Sequence, residues 1–400
     1  MMLKYEMKKI LNKRLNCVLF IADLLIVVVF GAFSIGSFKF VDTNGKTHSG
    51  IFAARSLATD KNRWQGDLTP TEFTEVVKSV KNGKDQASSF TEDEMYGKTI
   101  QSSQGIVETA GRMLKGESSD FDDYSNALLS ANASQVNSIY DIYKENLLAS
   151  SKEYGTTPEK ENYLAKQYQK IRTPFYYEAT DSWDTMFLYG TTASLILLVI
   201  IGVISAGIFS EEFSYKADAI FFSSQYGKTK ATRNKIAAGL ITATFVYLIG
   251  IGLLSAICFS VEGISGANTP YQFEFPYAIY TVSCGQMYGI IVLGGYIASL
   301  LSASVSMLVA SRTKTIGIAV CMPFLLFCVS PFVGRALPFR TFFTLTPDQL
   351  TNIVNCARIP YIYQIGSVVF SQIPFLILFY LIIAILLLPI VYRNYNKAIL

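Results

Sequence analysis

Six apolar runs divide the chain, and a polar stretch of residues 39–184 separates the first run from the other five. A helix needs about 20 apolar residues to cross roughly 30 Å of hydrocarbon, and five of the runs meet this length. The fifth run is weaker because Pro323 and Pro331 interrupt it. Backbone amides in lipid must be hydrogen-bonded internally, so we interpret every run as a helix. The predicted spans cover residues 17–38, 186–209, 236–258, 286–309, 316–333 and 373–391.

This pattern predicts a mainly α, polytopic membrane protein with six transmembrane helices. We divide it into residues 1–38, an extracytoplasmic domain at 39–184 and the five-helix remainder at 185–400. Basic residues precede the first run, as in a secretory signal, but the run is too long for an ordinary signal core and we predict a retained helix. One face of the preceding segment is apolar, which predicts an amphipathic helix in the membrane plane, with Leu3, Met7, Ile10, Leu11 and Leu15 on that face.

The orientation follows from lysine and arginine, which stay preferentially in cytoplasmic loops. With the amino terminus inside, the cytoplasmic segments carry fourteen of these residues, and the two short outer loops carry only three, namely Arg335, Arg340 and Arg358. We therefore expect a multi-pass cell-membrane protein with both termini in the cytoplasm. The extracytoplasmic domain has 17 basic and 22 acidic residues, so the formal net charge of +4 does not describe the whole chain evenly. The basic balance is therefore no evidence of nucleic-acid binding, and we expect no nucleic-acid partner.

Residue types that support catalysis or metal binding are scarce. His48 is the only histidine, and the six cysteines lie in or near the predicted spans without the paired spacing of a zinc site. The Gly-Lys-Thr triplets at Gly45, Gly97 and Gly227 lack the glycine that a phosphate-binding loop carries five residues earlier. We therefore expect no enzyme and no cofactor in this chain.

The extracytoplasmic domain is predicted to be mostly helical after a short extended start. Residues 38–52 alternate around Asn44-Gly45, which predicts a hairpin turn. Thr91 and Glu94 predict a capping box at the start of a helix. The predicted helices cover residues 69–80, 91–114, 122–149 and 158–171.

Asp23 is the one ionisable residue clearly inside a predicted span. We expect its carboxyl group to pair with a basic group of a neighbouring helix or to reach the interface, and an intramembrane polar site is the alternative. One carboxyl group near the cytoplasmic end gives little support to an ion-coupled carrier. An energy source outside the chain is therefore favoured.

Residues 211–235, which we call the coupling segment, connect the second and third spans and mix charged with apolar residues. Phe213, Ala217, Ile220 and Phe221 recur at helical spacing, which predicts an amphipathic helix along the inner membrane surface. Such a helix is either a simple interfacial anchor or an element that binds a cytoplasmic ATPase and transmits its motion to the spans.

Three features resemble type-2 ABC exporter permeases of Gram-positive bacteria. They are the opening MLKYEMKKIL, the large insertion after the first span and the run IFSEEFSYKADAIFFSSQYGKTKATRNKIAAGL. The stretch WQGDLT at residues 64–69 is similar to their outer domain. The resemblance implies an ATP-driven exporter of a peptide, a lipid or another amphipathic substrate. It further implies a second permease copy or a homologous permease, and a separate ABC ATPase that binds ATP and Mg.

Carried onto this sequence, the resemblance assigns ATPase coupling to eight residues. Their charged groups would contact the rim of the ATPase, and their apolar groups would fill its groove. These residues are Glu211, Glu212, Phe213, Asp218, Ile220, Phe221, Gly227 and Lys228. The resemblance also implies short re-entrant helices at an outer gate within residues 335–372, where Thr346-Pro347-Asp348 is typical of a helix start.

Small residues recur every four positions along the fourth predicted span. This spacing lets membrane helices approach closely, and we favour packing inside the chain over packing against a second copy. The two sets are Gly295, Ser299 and Ala303, and Ala298, Ser302, Ser306 and Ala310.

Two non-transporting functions are the alternatives. The chain could be a receptor or scaffold that displays the extracytoplasmic domain, or a mechanical transmitter in which an ATPase moves that domain. Six spans exceed what display requires, and they also exceed the four that are usual in transmitters. In an exporter, the extracytoplasmic domain would capture or shield substrate, such as an antimicrobial peptide, or cap the exit.

Overall fold

The computed structural model describes residues 2–85, 90–116, 121–224, 226–336 and 340–397. These residues form a mainly α protein with six helices that are long and apolar enough to cross a membrane. Spans 1 to 6 are, in chain order, Arg14–Ser37, Asp181–Ser214, Gly227–Glu262, Cys284–Thr313, Ile316–Gly334 and Gln372–Lys397. All six predicted spans are therefore confirmed, and spans 2, 3, 4 and 6 extend beyond the predicted apolar runs at both ends.

Span 5 remains helical although its sequence contains Pro323. Proline has no N–H group and removes one hydrogen bond from a helix interior. The helix Ile316–Phe324 continues into a wider π-helical stretch, Leu325–Val329, and then into Ser330–Ala336. A local π-helical adjustment of this kind pairs backbone groups that a proline would otherwise leave free in lipid.

Spans 2 and 4 form the centre of the bundle, whereas spans 1, 5 and 6 expose most of their apolar surface. The small residues of span 4 explain the close packing, because a Cβ atom at Gly295 would collide with Ser194 of span 2 and Tyr247 of span 3. In addition, Ser302 Oγ donates a hydrogen bond of 2.7 Å to the carbonyl oxygen of Leu198 in span 2. Packing of these small residues inside the chain is therefore confirmed.

The helix Met2–Asn12 precedes span 1, packs against span 3 and buries Ile10. Both chain ends lie on one side of the bundle, because Lys9 and Tyr395 both contact Glu212 at the end of span 2. We call this the terminal side. The opposite side, where residues 39–184 lie, is the loop side.

Residues 39–184 build most of a domain on the loop side. Strands Lys39–Val41 and Thr47–Ser49 pair in antiparallel fashion, which confirms the predicted hairpin, and Gly66–Asp67 pairs with Tyr176–Tyr177. The helical segments are Ile51–Lys61, Asn62–Trp64, Pro70–Asp85, Glu92–Met95, Tyr96–Ile100, Gln104–Lys115, Phe121–Ser130, Ala133–Asn137, Ile139–Tyr154 and Pro158–Tyr168.

The predicted helix at 91–114 is interrupted. The capping box of Thr91 and Glu94 forms as predicted, but the helix that follows passes into the π-helical stretch Tyr96–Ile100 and restarts at Gln104. Gly97 lies in this stretch directly against the backbone of the hairpin strand. The helix therefore changes course where it packs against the hairpin.

The predicted helix at 122–149 is also wrong, because this region contains three helices. Asn132 accepts a hydrogen bond from the N–H group of Gln135 and begins a new helix at Ala133. Such capping side chains compete with helix continuation. In addition, the predicted extended start misses the helix Ile51–Lys61.

The core of the loop-side domain includes residues from later connections between spans. Phe273, Tyr277 and Ile279 of the connection between spans 3 and 4 belong to it, and so does Ile362. Thr109 Oγ1 also donates a hydrogen bond of 2.7 Å to the carbonyl oxygen of Phe273. The domain therefore extends beyond the stretch 39–184 and is packed directly onto the membrane bundle.

The connection between spans 5 and 6 contains short elements, with residues 337–339 outside the described part. They are Arg340–Phe343, Pro347–Thr351, Ile353–Arg358 and an antiparallel pair, Ile362–Ile365 with Val368–Ser371. The predicted helix start at Thr346 is confirmed. Leu350 and Ile353 pack against Gly294, ten residues into span 4 and thus about 15 Å from its start. This depth fits a re-entrant arrangement.

Candidate functional site

The coupling segment, of which residue 225 lies outside the described part, is a tight connection between two spans. Span 2 continues to Ser214, and Lys216 has a φ of 54°, a left-handed conformation that ends helical geometry. A short helix, Asp218–Ser223, follows before span 3 begins at Gly227. The prediction of a single amphipathic helix along the membrane surface is therefore wrong.

A buried ion-pair cluster holds the base of the coupling segment. Glu212 Oε1 lies 2.7 Å from Lys235 Nζ and 2.8 Å from Lys9 Nζ. The Lys235 side chain is only 1% exposed, and its Nζ also lies 3.4 Å from Glu6 Oε2. Charges in such a position are stable only when they are paired and hydrogen-bonded. The cluster therefore fixes the amino-terminal helix, span 2 and span 3 relative to one another.

Span 6 joins the same cluster through Tyr395. Its hydroxyl group donates a hydrogen bond of 2.9 Å to Glu212 Oε2. Its ring lies 5.9 Å from the rings of both Phe213 and Phe221 and 5.1 Å from that of Phe222, measured between centroids. Aromatic side chains of the coupling segment thus pack onto the last span.

Lys9 is the member of the cluster that belongs to the amino-terminal helix. Partial burial lowers the pKa of its ammonium group, but the hydrogen bond and charge of Glu212 and the charge of Glu211 outweigh burial, so the pKa is raised above its ordinary value. Lys9 Nζ lies 3.3 Å from Glu211 Oε2. Lys9 therefore remains a cation at physiological pH and keeps both contacts.

The eight residues that the sequence assigned to ATPase coupling fall into two groups. Six are buried or half-buried within the chain, namely Glu211, Glu212, Phe213, Asp218, Phe221 and Gly227. Ile220 and Lys228 are exposed. Gly227 is required for close packing, because a Cβ atom there would collide with the carbonyl oxygen of Phe221. Only part of the predicted set is thus available on the surface of this chain.

Ile220 is 77% exposed on the short helix of the coupling segment, and Tyr215, in the preceding turn, is 71% exposed. We call these two residues the tip. The tip belongs to the coupling segment, whose first residues are held by the ion-pair cluster around Glu212. This cluster connects the amino-terminal helix with spans 2, 3 and 6. Two large side chains are thus exposed on the terminal side by an element that buried contacts hold in place.

Asp23 is buried in span 1, with 3% of its surface exposed. It faces span 3, where a Cβ atom at Gly250 would lie 3.5 Å from its Oδ2. Its Oδ1 has no hydrogen-bond partner among the residues that the structure describes. The expected pairing with a basic group is therefore not found in the described part of the chain.

A second polar cluster connects the loop-side domain to span 2. Lys61 Nζ lies 2.6 Å from Asp181 Oδ1, and Thr180 Oγ1 donates a hydrogen bond to Glu274 Oε1. Arg112 Nη1 donates to the carbonyl oxygen of Glu274 at 2.7 Å. Burial raises the pKa of the Glu274 carboxyl group above its usual value, although the hydrogen bond from Thr180 and the charge of Lys61 lower it.

Sequence reasoning assigned no role to Lys235, Glu6, Lys9 or Tyr395. Lys235 directly precedes an apolar run, where the preference of basic residues for the cytoplasmic side explains it without any specific partner. The available signal was the acidic residue Glu212 at the end of the preceding span. An acid and a base at facing ends of consecutive spans predict an ion pair between them.

Comparison with models of protein families, with curated proteins and with solved structures finds no match to this chain. The fold and the site therefore define its class from the molecule itself. It is a mainly α, multi-pass membrane protein with a helical domain on one side and a cluster of buried ion pairs on the other.

Proposed function

We propose that this chain is the permease subunit of an ATP-driven ABC exporter, and that a separate ATPase subunit binds the tip of its coupling segment. The observation that carries the proposal is Ile220, whose side chain is 77% exposed on an element held by buried contacts at its base. Exposed large apolar side chains on rigid elements are suited to fill a pocket of a partner.

The connections of the coupling segment support transmission of motion. The segment continues directly into spans 2 and 3, and the cluster around Glu212 joins it to the amino-terminal helix and to span 6. A displacement applied at the tip would therefore reach four helices through buried contacts. The partner would bind ATP and Mg, and two permeases with two ATPases would form the working exporter.

The charge distribution supports a cytoplasmic location for the tip and both termini, since the short segments on the terminal side carry fourteen lysines and arginines and the two short loops on the other side carry three. The loop-side domain would then lie outside the cell. In this orientation the cargo would leave toward that domain, and a peptide, a lipid or another amphipathic molecule is the substrate class proposed from the resemblance.

Co-purification tests the proposal. The tagged chain would be purified from its native membrane in mild detergent, beside an Ile220→Glu variant and a matched Ile264→Glu control. Ile264 is 65% exposed in the connection between spans 3 and 4, away from the tip. We expect an ATPase subunit to co-purify with the wild type and with the control. Its yield should be at least tenfold lower with Ile220→Glu, because a charge replaces the apolar side chain that the ATPase would bury.

Three outcomes would contradict the proposal. Retention of the ATPase by Ile220→Glu would place its binding surface elsewhere on the chain. If no ATPase accompanies the wild type under conditions that preserve other membrane complexes, a receptor or scaffold function becomes the better hypothesis. Recovery of an ATPase without ATP-dependent export in proteoliposomes would favour the mechanical transmitter.

A further inference from the structure

A cavity of about 370 Å³ lies between the amino-terminal helix, span 1 and span 3. Asp23 and Thr242 are polar residues of its lining, and the other lining residues are apolar, among them Met7 and Val246. Thr242 Oγ1 already donates a weak hydrogen bond to Met7 Sδ at 3.8 Å. The carboxyl group of Asp23 is therefore the polar feature of the cavity that is available to a ligand.

The cavity opens toward lipid. Leu11, Leu24, Phe245 and Ile249 line it and are 49%, 39%, 58% and 56% exposed in helices whose exposed faces lie in the bilayer. Asp23 is nine residues from the start of span 1, roughly 14 Å along the helix, which places it inside the hydrocarbon layer in the half nearer the terminal side. A molecule dissolved in the membrane can reach it sideways.

The carboxyl group lacks a partner within the described chain. Asp23 is 3% exposed, its Oδ1 accepts no hydrogen bond there, and lysine and arginine are absent from the described lining of the cavity. A carboxylate in hydrocarbon is unstable without a cation, so ionisable residues at this depth are usually paired or functional. A ligand that paired with this carboxyl group would bring both an apolar body and a positively charged hydrogen-bond donor.

We propose that this cavity is a binding site for a membrane-soluble amine, whose ammonium group donates to Asp23 and whose apolar chain lies along Val246 and Ile249. The volume suits a single short alkyl chain, within the usual range of small-molecule sites. The site is independent of the proposed ATPase partnership, because it needs neither the tip nor nucleotide.

The test is equilibrium binding of radiolabelled dodecylamine to the full chain in phosphatidylcholine nanodiscs, with empty nanodiscs correcting for partition into lipid. Dodecanol, which has the same chain and no positive charge, is the matched probe. We expect saturable binding of the amine at one site per chain, at least about tenfold tighter than binding of the alcohol, as one charge-assisted hydrogen bond requires.

Variants show which residues bind the ammonium group of the ligand and which bind its alkyl chain. Asp23→Asn keeps the shape of the side chain and should weaken amine binding at least about tenfold without changing alcohol binding. Ile249→Trp, at an exposed position of the opening, should weaken binding of both probes while Asp23 is intact. Glu262→Gln is the control. Glu262, in span 3, has a buried carboxyl group as Asp23 does, but this group accepts a hydrogen bond from Ser34 and does not line the cavity.

Three results would overturn the proposal. They are the absence of saturable amine binding by the wild type, equal binding of amine and alcohol, and unchanged amine binding in Asp23→Asn. Loss of binding in Glu262→Gln as well would show a general effect on the bundle and would also count against a local site. Size-exclusion profiles of all variants establish that each chain is folded before binding is compared.

Discussion

Lys235 Nζ lies 2.7 Å from Glu212 Oε1, and this contact joins the start of span 3 to the end of span 2. Both side chains are almost fully buried, whereas Lys9, which binds the same carboxylate, is 41% exposed. The two ion pairs therefore differ in burial although they share one acidic partner. Their contributions to stability should differ for the same reason.

Lys235→Met is expected to lower the free energy of unfolding by about 3 kcal/mol, because the buried carboxylate of Glu212 loses its buried cationic partner. Lys9→Met is expected to cost less than about 1 kcal/mol, since its ammonium group is partly solvated. Chemical denaturation in detergent micelles, followed by circular dichroism, measures both. Equal losses would show that burial does not determine the strength of these pairs.

A double variant separates pairing from packing. Glu212→Gln combined with Lys235→Met removes both buried charges. Its loss in free energy of unfolding should therefore be smaller than the sum of the two single losses by at least about 1 kcal/mol. Purely additive losses would mean that the two side chains contribute independently. The exposed substitution Lys228→Met is the control and should leave stability unchanged.

Substitutions of two adjacent residues of the coupling segment should differ in how strongly they destabilise the chain. Phe221 contacts the rings of Phe222 and Tyr395, and Lys235 Nζ lies 5.4 Å from its ring centroid. Phe221→Ala is therefore expected to destabilise the chain by about 2 kcal/mol, and Ile220→Ala by less than about 0.5 kcal/mol. Thermal unfolding of the two purified variants measures both losses. A stable Phe221→Ala chain would contradict this packing.

The spans were predictable because length and hydropathy alone decide whether a helix can cross a membrane. The hairpin at Asn44-Gly45 and the capping box at Thr91 were predictable because local sequence determines them. The breaks in the helices at 91–114 and 122–149 depend on close packing and on competing caps, which periodicity does not reveal. Sequence reasoning therefore gave the elements and missed several of their ends.

The candidate site was predicted only in part, because its charges are arranged by tertiary contacts. Glu212 was assigned to a partner from its position in a loose pattern, yet in the structure it binds Lys9, Lys235 and Tyr395 of the same chain. Those partners lie far apart in the sequence. No local pattern relates an amino-terminal lysine to a tyrosine of the last span, so only the fold could bring them together.

Two glycines of span 4 provide a matched test of close helix packing. A Cβ atom at Gly295 would collide with Ser194 and Tyr247, whereas nothing lies within 4 Å of that position at Gly289. Gly295→Ala is expected to lower the free energy of unfolding by roughly 1–3 kcal/mol. Gly289→Ala should be neutral or slightly stabilising, since alanine favours helices. Similar effects in denaturation experiments would contradict the close contact.

The final prediction concerns Glu274, whose carboxyl group joins the loop-side domain to span 2 through Thr180. Burial raises its pKa in the folded chain, and Asp181 acts in the same direction, while the hydrogen bond from Thr180 and the charges of Lys61 and Arg112 act against it. The folded state therefore binds this proton more tightly than the unfolded state does.

The sign of the pH dependence follows from linkage. The contribution of Glu274 to stability is fully present below its ordinary pKa of 4.5 and is lost as pH rises through the raised pKa of the folded state. Glu274→Gln does not titrate at this position but keeps an acceptor for Thr180. The unfolding temperature of this variant should therefore fall less than that of the wild type as pH rises from 4.5 through the raised pKa of the folded state.

Differential scanning calorimetry at several pH values measures this difference. Glu153→Gln, at an exposed position of the loop-side domain, should follow the wild-type curve and serves as the control. Parallel curves for wild type and Glu274→Gln would mean that the carboxyl group has the same proton affinity in both states. A steeper fall in the variant would mean that Glu274 stabilises the fold as a carboxylate, through Lys61 and Arg112, and that these cations outweigh its burial.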